Sequence, residues 1–295
     1  MRNDLITVDH ATRIYSRGGL FGNAPFRAVD DVSFTIADET PEIFTIVGES
    51  GSGKTTLSRM ILGLVEPSEG AIRFRGADLS RMRGRQRRKS FMAAVQPIFQ
   101  NPFEAFNPLK RVDRYLLATA RAFAGARRYE DAERLADEAL RKVGLSFAEV
   151  HRRFPHELSG GQLQRTAIAR ALVPGPALIV ADEPVSMVDA SLRMSIVNLF
   201  KALRDDLGVS ILYITHDLAT AYYISDRLII MQKGKVVESG EARAVLDNPQ
   251  HAYSILLKSS VLSPDAALAR TSPTEAAAVP VTAAETPRHS TGRGE

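Results

Sequence analysis

The stretch Gly48-Glu49-Ser50-Gly51-Ser52-Gly53-Lys54-Thr55 satisfies G-x-x-x-x-G-K-[ST] at every fixed position, a pattern whose backbone cradles nucleotide phosphates. Its glycines permit backbone angles closed to other residues and let N–H groups face an anion. A helix beginning at the lysine would add its positive end. In that setting Lys54 reaches the β- and γ-phosphates, Thr55 sets its hydroxyl on Mg²⁺, and Thr56 stands beside it. A chance Gly/Ser-rich turn before a helix is the alternative. The apolar run that precedes the loop argues against it.

A second group of candidates is acidic. The apolar run 177–181 ends in Asp182 and Glu183. In an open α/β sheet, ligands sit beyond the carboxyl ends of the strands. Asp182 is therefore placed to hold Mg²⁺ through water, and Glu183 to accept a proton from an attacking water. Alone, the pair would read as an exposed acidic turn; beside a phosphate loop it reads as chemistry. His216 follows another apolar run, 210–214, and would stand near the γ-phosphate at the same sheet edge, although a lone histidine is more often structural. Finally, Leu158-Ser159-Gly160-Gly161-Gln162 opens a helical pattern. It offers a second set of glycine-exposed amides for an anion, with a plain serine helix cap as the alternative.

Strands and helices must hold these groups together. Apolar, β-branched runs recur at 5–8, 32–36, 43–47, 71–74, 177–181, 210–214 and 228–231. Several are short and continuous, as in strands buried on both faces. Helical spacing follows at 54–64 and at 191–207, where Leu192, Ile196, Leu199 and Leu203 share a face. This alternation predicts an α/β fold, a P-loop NTPase core with a mostly parallel sheet. The early strands read as an antiparallel β subdomain. From 101 to 176 strand signals vanish and the pattern is helical, clearest at 131–143, which predicts an inserted helical subdomain. Pro97, Pro102 and Pro108 break its entrance, and Pro174-Gly175-Pro176 its exit. Beyond residue 262, Ala, Pro, Thr, Ser and Glu dominate, and a disordered tail is expected over 263–295.

Bulk properties narrow the class further. The 295 residues include no cysteine, which excludes disulfides, thiolate metal sites and a cysteine nucleophile. Neither a signal peptide nor a membrane span is expected, so a membrane role must come through a partner. The net charge of +4 is inflated by the basic run 81–89. No aromatic residue interleaves with it to stack bases, so it reads as a solvated helix face, and no nucleic acid is expected as a partner.

In combination, the phosphate loop, the Ser159-Gly160-Gly161-Gln162 segment and the acidic strand end resemble the ABC ATPases over roughly residues 3–262. The resemblance implies roles position by position. Gln100 matches the glutamine that touches Mg²⁺ and couples to the membrane partner. Ser159, Gly160, Gly161 and Gln162 match the residues that cover the γ-phosphate of ATP held by the opposite subunit. Asp189 matches an aspartate of the subunit contact, although Met187-Val188 stand where Ala-Leu is usual. His216 matches the switch histidine. Tyr15 matches the aromatic that stacks on adenine, with a core tyrosine as the alternative.

Within the family, the loop Arg17-Gly18-Gly19-Leu20-Phe21-Gly22, the run Gln96-Pro97-Ile98-Phe99-Gln100-Asn101-Pro102-Phe103 and Phe154-Pro155-His156-Glu157 resemble the oligopeptide/dipeptide importer branch. So does Asn248-Pro249-Gln250-His251-Ala252-Tyr253, with Ala252 where proline is common, in a family-type carboxyl-terminal segment over about 241–262. The resemblance implies an ATP- and Mg²⁺-dependent ATPase on the cytoplasmic face of the membrane. Its expected partners are two permease subunits, a second ATPase subunit (the same chain or a sister) and an extracytoplasmic solute-binding protein. Oligopeptides, dipeptides or a related solute such as oligosaccharides would be the cargo. The rival is an ATPase accessory to a soluble enzyme complex, for example in phosphonate metabolism.

Overall fold

The computed structural model describes residues 4–17, 24–82, 84–186 and 188–262. The tail 263–295, most of the loop 17–22 and Met187 lie outside the described residues. The chain opens with two long strands, β1 (Asp4–Arg17) and β2 (Ala24–Ala37), paired antiparallel. Then come β3 (Ile43–Val47), α1 (Lys54–Ile61), β4 (Glu69–Phe74), β5 (Ala77–Asp78), α2 (Arg85–Ala94) and β6 (Val95–Ile98). The segment expected to be helical holds α3 (Val112–Phe123), α4 (Tyr129–Lys142), α5 (Phe147–Val150) and α6 (Gly160–Leu172), with two short 3₁₀ turns. The chain returns to the sheet with β7 (Leu178–Asp182), α7 (Ala190–Leu207), β8 (Ser210–Thr215), α8 (Leu218–Ile224), β9 (Arg227–Gln232) and β10 (Lys235–Glu241). It finishes with α9 (Ala242–Asp247) and α10 (Ala252–Leu262).

Two sheets result. One is antiparallel, in the order β2-β1-β4-β5; the other has the order β10-β9-β3-β8-β7-β6 and is parallel except at β10. The two strands beside each other at its centre, β3 and β8, are buried at every residue, which is why their sequences are unbroken apolar runs rather than alternating ones. Alternate residues of each strand face opposite sides. Ile43, Ile179, Ile211 and Tyr213 pack against the helical segment, together with Leu116, Leu140, Leu163 and Phe200. Their neighbours Phe44, Ile46, Val180, Leu212 and Ile214 pack on the other side with α1 and the antiparallel sheet. Each fully buried aliphatic of this kind contributes about 1.5–3 kcal/mol.

In the six-stranded sheet, two strands do not follow from the apolar runs. β6 carries Gln96 and Pro97 and lies at the sheet edge beside β7, where a proline removes no essential ladder bond. β10 is the opposite, antiparallel edge and is largely polar.

Register explains the convergence of the chemistry. Val47 pairs with Thr215, Asp182 with Ile214, and Ile98 with Ala181. The parallel strands β3, β8, β7 and β6 thus end in step, and whatever follows each of them emerges at one edge.

Candidate active site

Residues 48–55 follow β3 directly and lead into α1. Gly48 is required by space: a Cβ there would sit 2.3 Å from the Met231 carbonyl oxygen. Gly53 has φ 105°, and a Cβ on it would meet the Ala28 carbonyl oxygen at 2.2 Å. No side chain caps α1, which leaves its first N–H groups to an anion. Lys54 is only 4% exposed. Its Nζ donates to the carbonyls of Gly48 at 2.7 Å and Glu49 at 2.8 Å. Burial lowers its pKa from the usual lysine range, against the pull of Glu183, Asp182 and Glu49. Nearby carboxylates and two carbonyls are thus what compensate the buried charge.

Asp182 ends β7, where Ser58 Oγ lies 3.3 Å from its Oδ2. Burial raises its pKa, while hydrogen bonds from Ser58 and Thr55 oppose that rise. Lys54, Thr55 and Asp182 therefore share one pocket of charge. Ser58, one helical turn beyond Lys54, escapes motif reading; the i, i+4 spacing on α1 is the signal that would have found it.

Glu183 occupies the left-handed region, with φ 47°, a conformation that costs a glutamate about 1–3 kcal/mol. The turn is held by its own N–H, which donates to the Ile214 carbonyl at 2.9 Å, and by Ser186 Oγ, which donates to the Glu183 carbonyl at 3.0 Å. Gln164 from α6 donates to the next carbonyl, Pro184, at 2.8 Å. Both carboxylate oxygens are engaged: Gln100 Nε2 donates to Oε2 at 3.1 Å, and His216 Nδ1 lies 3.1 Å from Oε1. The turn after His216 is ordered by Asp217, whose N–H donates to Thr215 Oγ1 and whose carboxylate caps α8. Two other histidines sit beside carboxylates away from this edge, His10 at Asp31 and His151 at Asp113.

Ser159 caps α6: its Oγ accepts from Gln162 N at 3.2 Å, and Gln162 Oε1 accepts from Ser159 N at 3.0 Å. A Cβ on Gly161 would meet Leu192 of α7 at 2.8 Å, whereas one on Gly160 would meet nothing within 4 Å. A side chain at 161 would therefore have to displace the tip of Leu192, whereas packing inside the chain gives no reason for glycine at 160. Among the described residues, no hydrogen bond or ion pair joins 159–162 to 48–55. Asp189 is exposed at the start of α7. Tyr15 is 36% exposed and carries Arg13 over its ring at 4.7 Å, so it is not a core tyrosine. It pairs across the strands with Phe26, two residues from Ala28 beside the loop.

Comparison with known proteins agrees with this geometry. A family model described as ABC transporter matches residues 29–186. The chain is 40% identical over 252 residues to the oligopeptide transport ATP-binding protein AmiF of Streptococcus pneumoniae, spanning 84% of this chain and 80% of that one. It is 41% identical over 252 residues to the oligopeptide transport ATP-binding protein AppF of Bacillus subtilis, spanning 83% and 74% of the two. The dimeric post-hydrolysis structure of the ATP-binding cassette MJ0796, bound to ADP and Pi, superposes with a TM-score of 0.70 at 28% identity, covering 81% of this chain and 99% of that one. This chain therefore belongs to the ABC transporter family and is one of its ATPases.

Proposed function

We propose that the chain is the ATP-hydrolysing subunit of an importer for oligopeptides, dipeptides or a related solute, seated on the cytoplasmic face of the membrane. The observation that carries the reading is the Glu183 carboxylate, held between Gln100 and His216 at the strand edge beside the loop 48–55. The names of AmiF and AppF support peptide transport, and they do not favour an accessory role without transport. Residues 1–262 form the ATPase domain, with the helical subdomain at 101–176.

In this reading the N–H groups of the loop beyond Glu49 and the Lys54 ammonium hold the ATP phosphates. Mg²⁺ is a hard cation that takes oxygen donors and keeps several waters. The Thr55 hydroxyl, the Asp182 carboxylate and the Gln100 amide oxygen suit it. Among the described residues no group of three or more acidic or histidine side chains could hold a metal ion; phosphate oxygens of the nucleotide would supply further donors. When bound, Mg²⁺ would supply neutralisation of the phosphate charge. Glu183 takes the proton of the attacking water, whose oxygen bonds to the γ-phosphorus as the bond to the ADP oxygen breaks. His216 holds Glu183 and meets the γ-phosphate. The rest is positioning and electrostatics.

Ser159–Gln162 and Asp189 serve the site of a second ATPase, the same chain or a sister, and Tyr15 stacks on adenine. Glycine at 160 is then explained from outside the chain, by the phosphate of the facing subunit. Among the described residues no helix is long and apolar enough to cross a membrane, so two permease subunits carry the solute, fed by an extracytoplasmic binding protein. The test is uptake of a labelled tripeptide by cells lacking the chain. Uptake should be lost, and restored by the wild type but not by Glu183→Gln. Unchanged uptake of peptides in the deletion would overturn the assigned cargo.

A further inference from the structure

The carboxyl-terminal run 248–253 has no part in the chemistry above, yet one of its side chains touches the phosphate loop. Tyr253 Oη accepts the Glu49 N–H at 2.9 Å. Glu49 is the residue through which the loop is fixed to itself: its carbonyl accepts from Lys54 Nζ at 2.8 Å and from Ser52 N at 3.2 Å. The Glu49 residue is thus held at its carbonyl by the loop and at its N–H by a side chain about two hundred positions downstream.

Tyr253 is itself well anchored. It is 6% exposed and packs with Val47, the residue before the loop, with Leu218, two residues after His216, and with Val245 and Leu246. Glu238 on β10 accepts the N–H groups of Gln250 at 2.8 Å and His251 at 3.3 Å. His251 Nδ1 accepts the Tyr253 N–H at 3.1 Å. A carboxylate on the edge strand therefore docks the start of α10, and the docked helix presents the phenol to the loop. Burial raises the Tyr253 pKa, which keeps the hydroxyl protonated.

We propose that Tyr253 is a positioning residue for nucleotide binding: its hydroxyl orients the Glu49 peptide, so that the N–H groups following it already face the phosphates before ATP arrives. The proposal rests on the assignment of 48–55 to the phosphates. Preorganisation of this kind lowers the ordering cost of binding and leaves the chemical step untouched.

Tyr253→Phe keeps the ring and deletes only the acceptor. ATP binding by titration calorimetry, steady-state ATPase kinetics, thermal melting and amide exchange are measured on the full chain, with Lys54→Ala alongside. Loss of one hydrogen bond of this type corresponds to about a three- to tenfold change. The Kd and KM for ATP should rise by that factor in Tyr253→Phe, with kcat within about twofold and faster amide exchange at Glu49–Ser52. Lys54→Ala should lose ATP binding. If Lys54→Ala loses binding while Tyr253→Phe keeps the wild-type Kd and KM, the positioning role is wrong and the loop assignment stands; a lowered melting point alone would mark Tyr253 as packing only. If Lys54→Ala binds ATP as the wild type does, the loop assignment itself fails, and the proposal with it.

Discussion

Glu183 combines a costly backbone with a fully engaged carboxylate. Nothing in folding requires glutamate at φ 47°, where glycine would be easier. Five other non-glycine residues share such a φ, so it is the engaged carboxylate together with the strain that marks Glu183 as a candidate kept for its side chain. Glu183→Gly should therefore gain about 0.5–1 kcal/mol in a urea melt while ATP turnover disappears; a loss of stability would show that the Gln100 and His216 contacts outweigh the strain. The residue types were legible in the sequence because phosphate chemistry needs fixed side chains at fixed spacing. Gly48, Lys54, Asp182, Glu183 and His216 could be named from pattern alone. What could not be read was the partner of each. The clasp of Gln100 and His216 on Glu183 depends on strand register, and the Tyr253 hydroxyl on Glu49 depends on the docking of α10; both join residues far apart in sequence.

The elements that carry these residues were legible to the degree that burial is uniform. β3, β7 and β8 are buried almost throughout and announce themselves as apolar runs. β6 and β10 are edges, where proline and polar residues are tolerated, and their sequences look like loops. Helix ends depend on single residues. α7 ends at Gly208, with φ 65° and its N–H donating to the Arg204 carbonyl at 3.2 Å. A Cβ there would find room, its nearest neighbour being Pro41 at 3.7 Å, so the cost of Gly208→Ala is backbone strain alone. It should lose about 1 kcal/mol in chemical denaturation with an unchanged m-value. A neutral result would mean that the α7–β8 turn relaxes without cost.

At the level of the molecule, the parallel strands ending in step explain why the loop 48–55, Gln100, Asp182, Glu183 and His216 share one edge, while 159–162 sits on a different element and makes its hydrogen bonds within α6. In the proposed reading the loop 48–55 and the segment 159–162 are two half-sites, which a pair of ATPase subunits would unite. Both Glu183 and His216 are present, and in the proposed reading they are what would let this chain hydrolyse ATP rather than only bind it. Glu183→Gln separates those two steps. Compared with the wild type, the variant should lose turnover by about 10²–10⁴-fold, keep its ATP affinity within about twofold, and accumulate as an ATP-bound dimer in sedimentation. Undiminished turnover at unchanged ATP affinity would contradict Glu183 as the base, and with it the site described above.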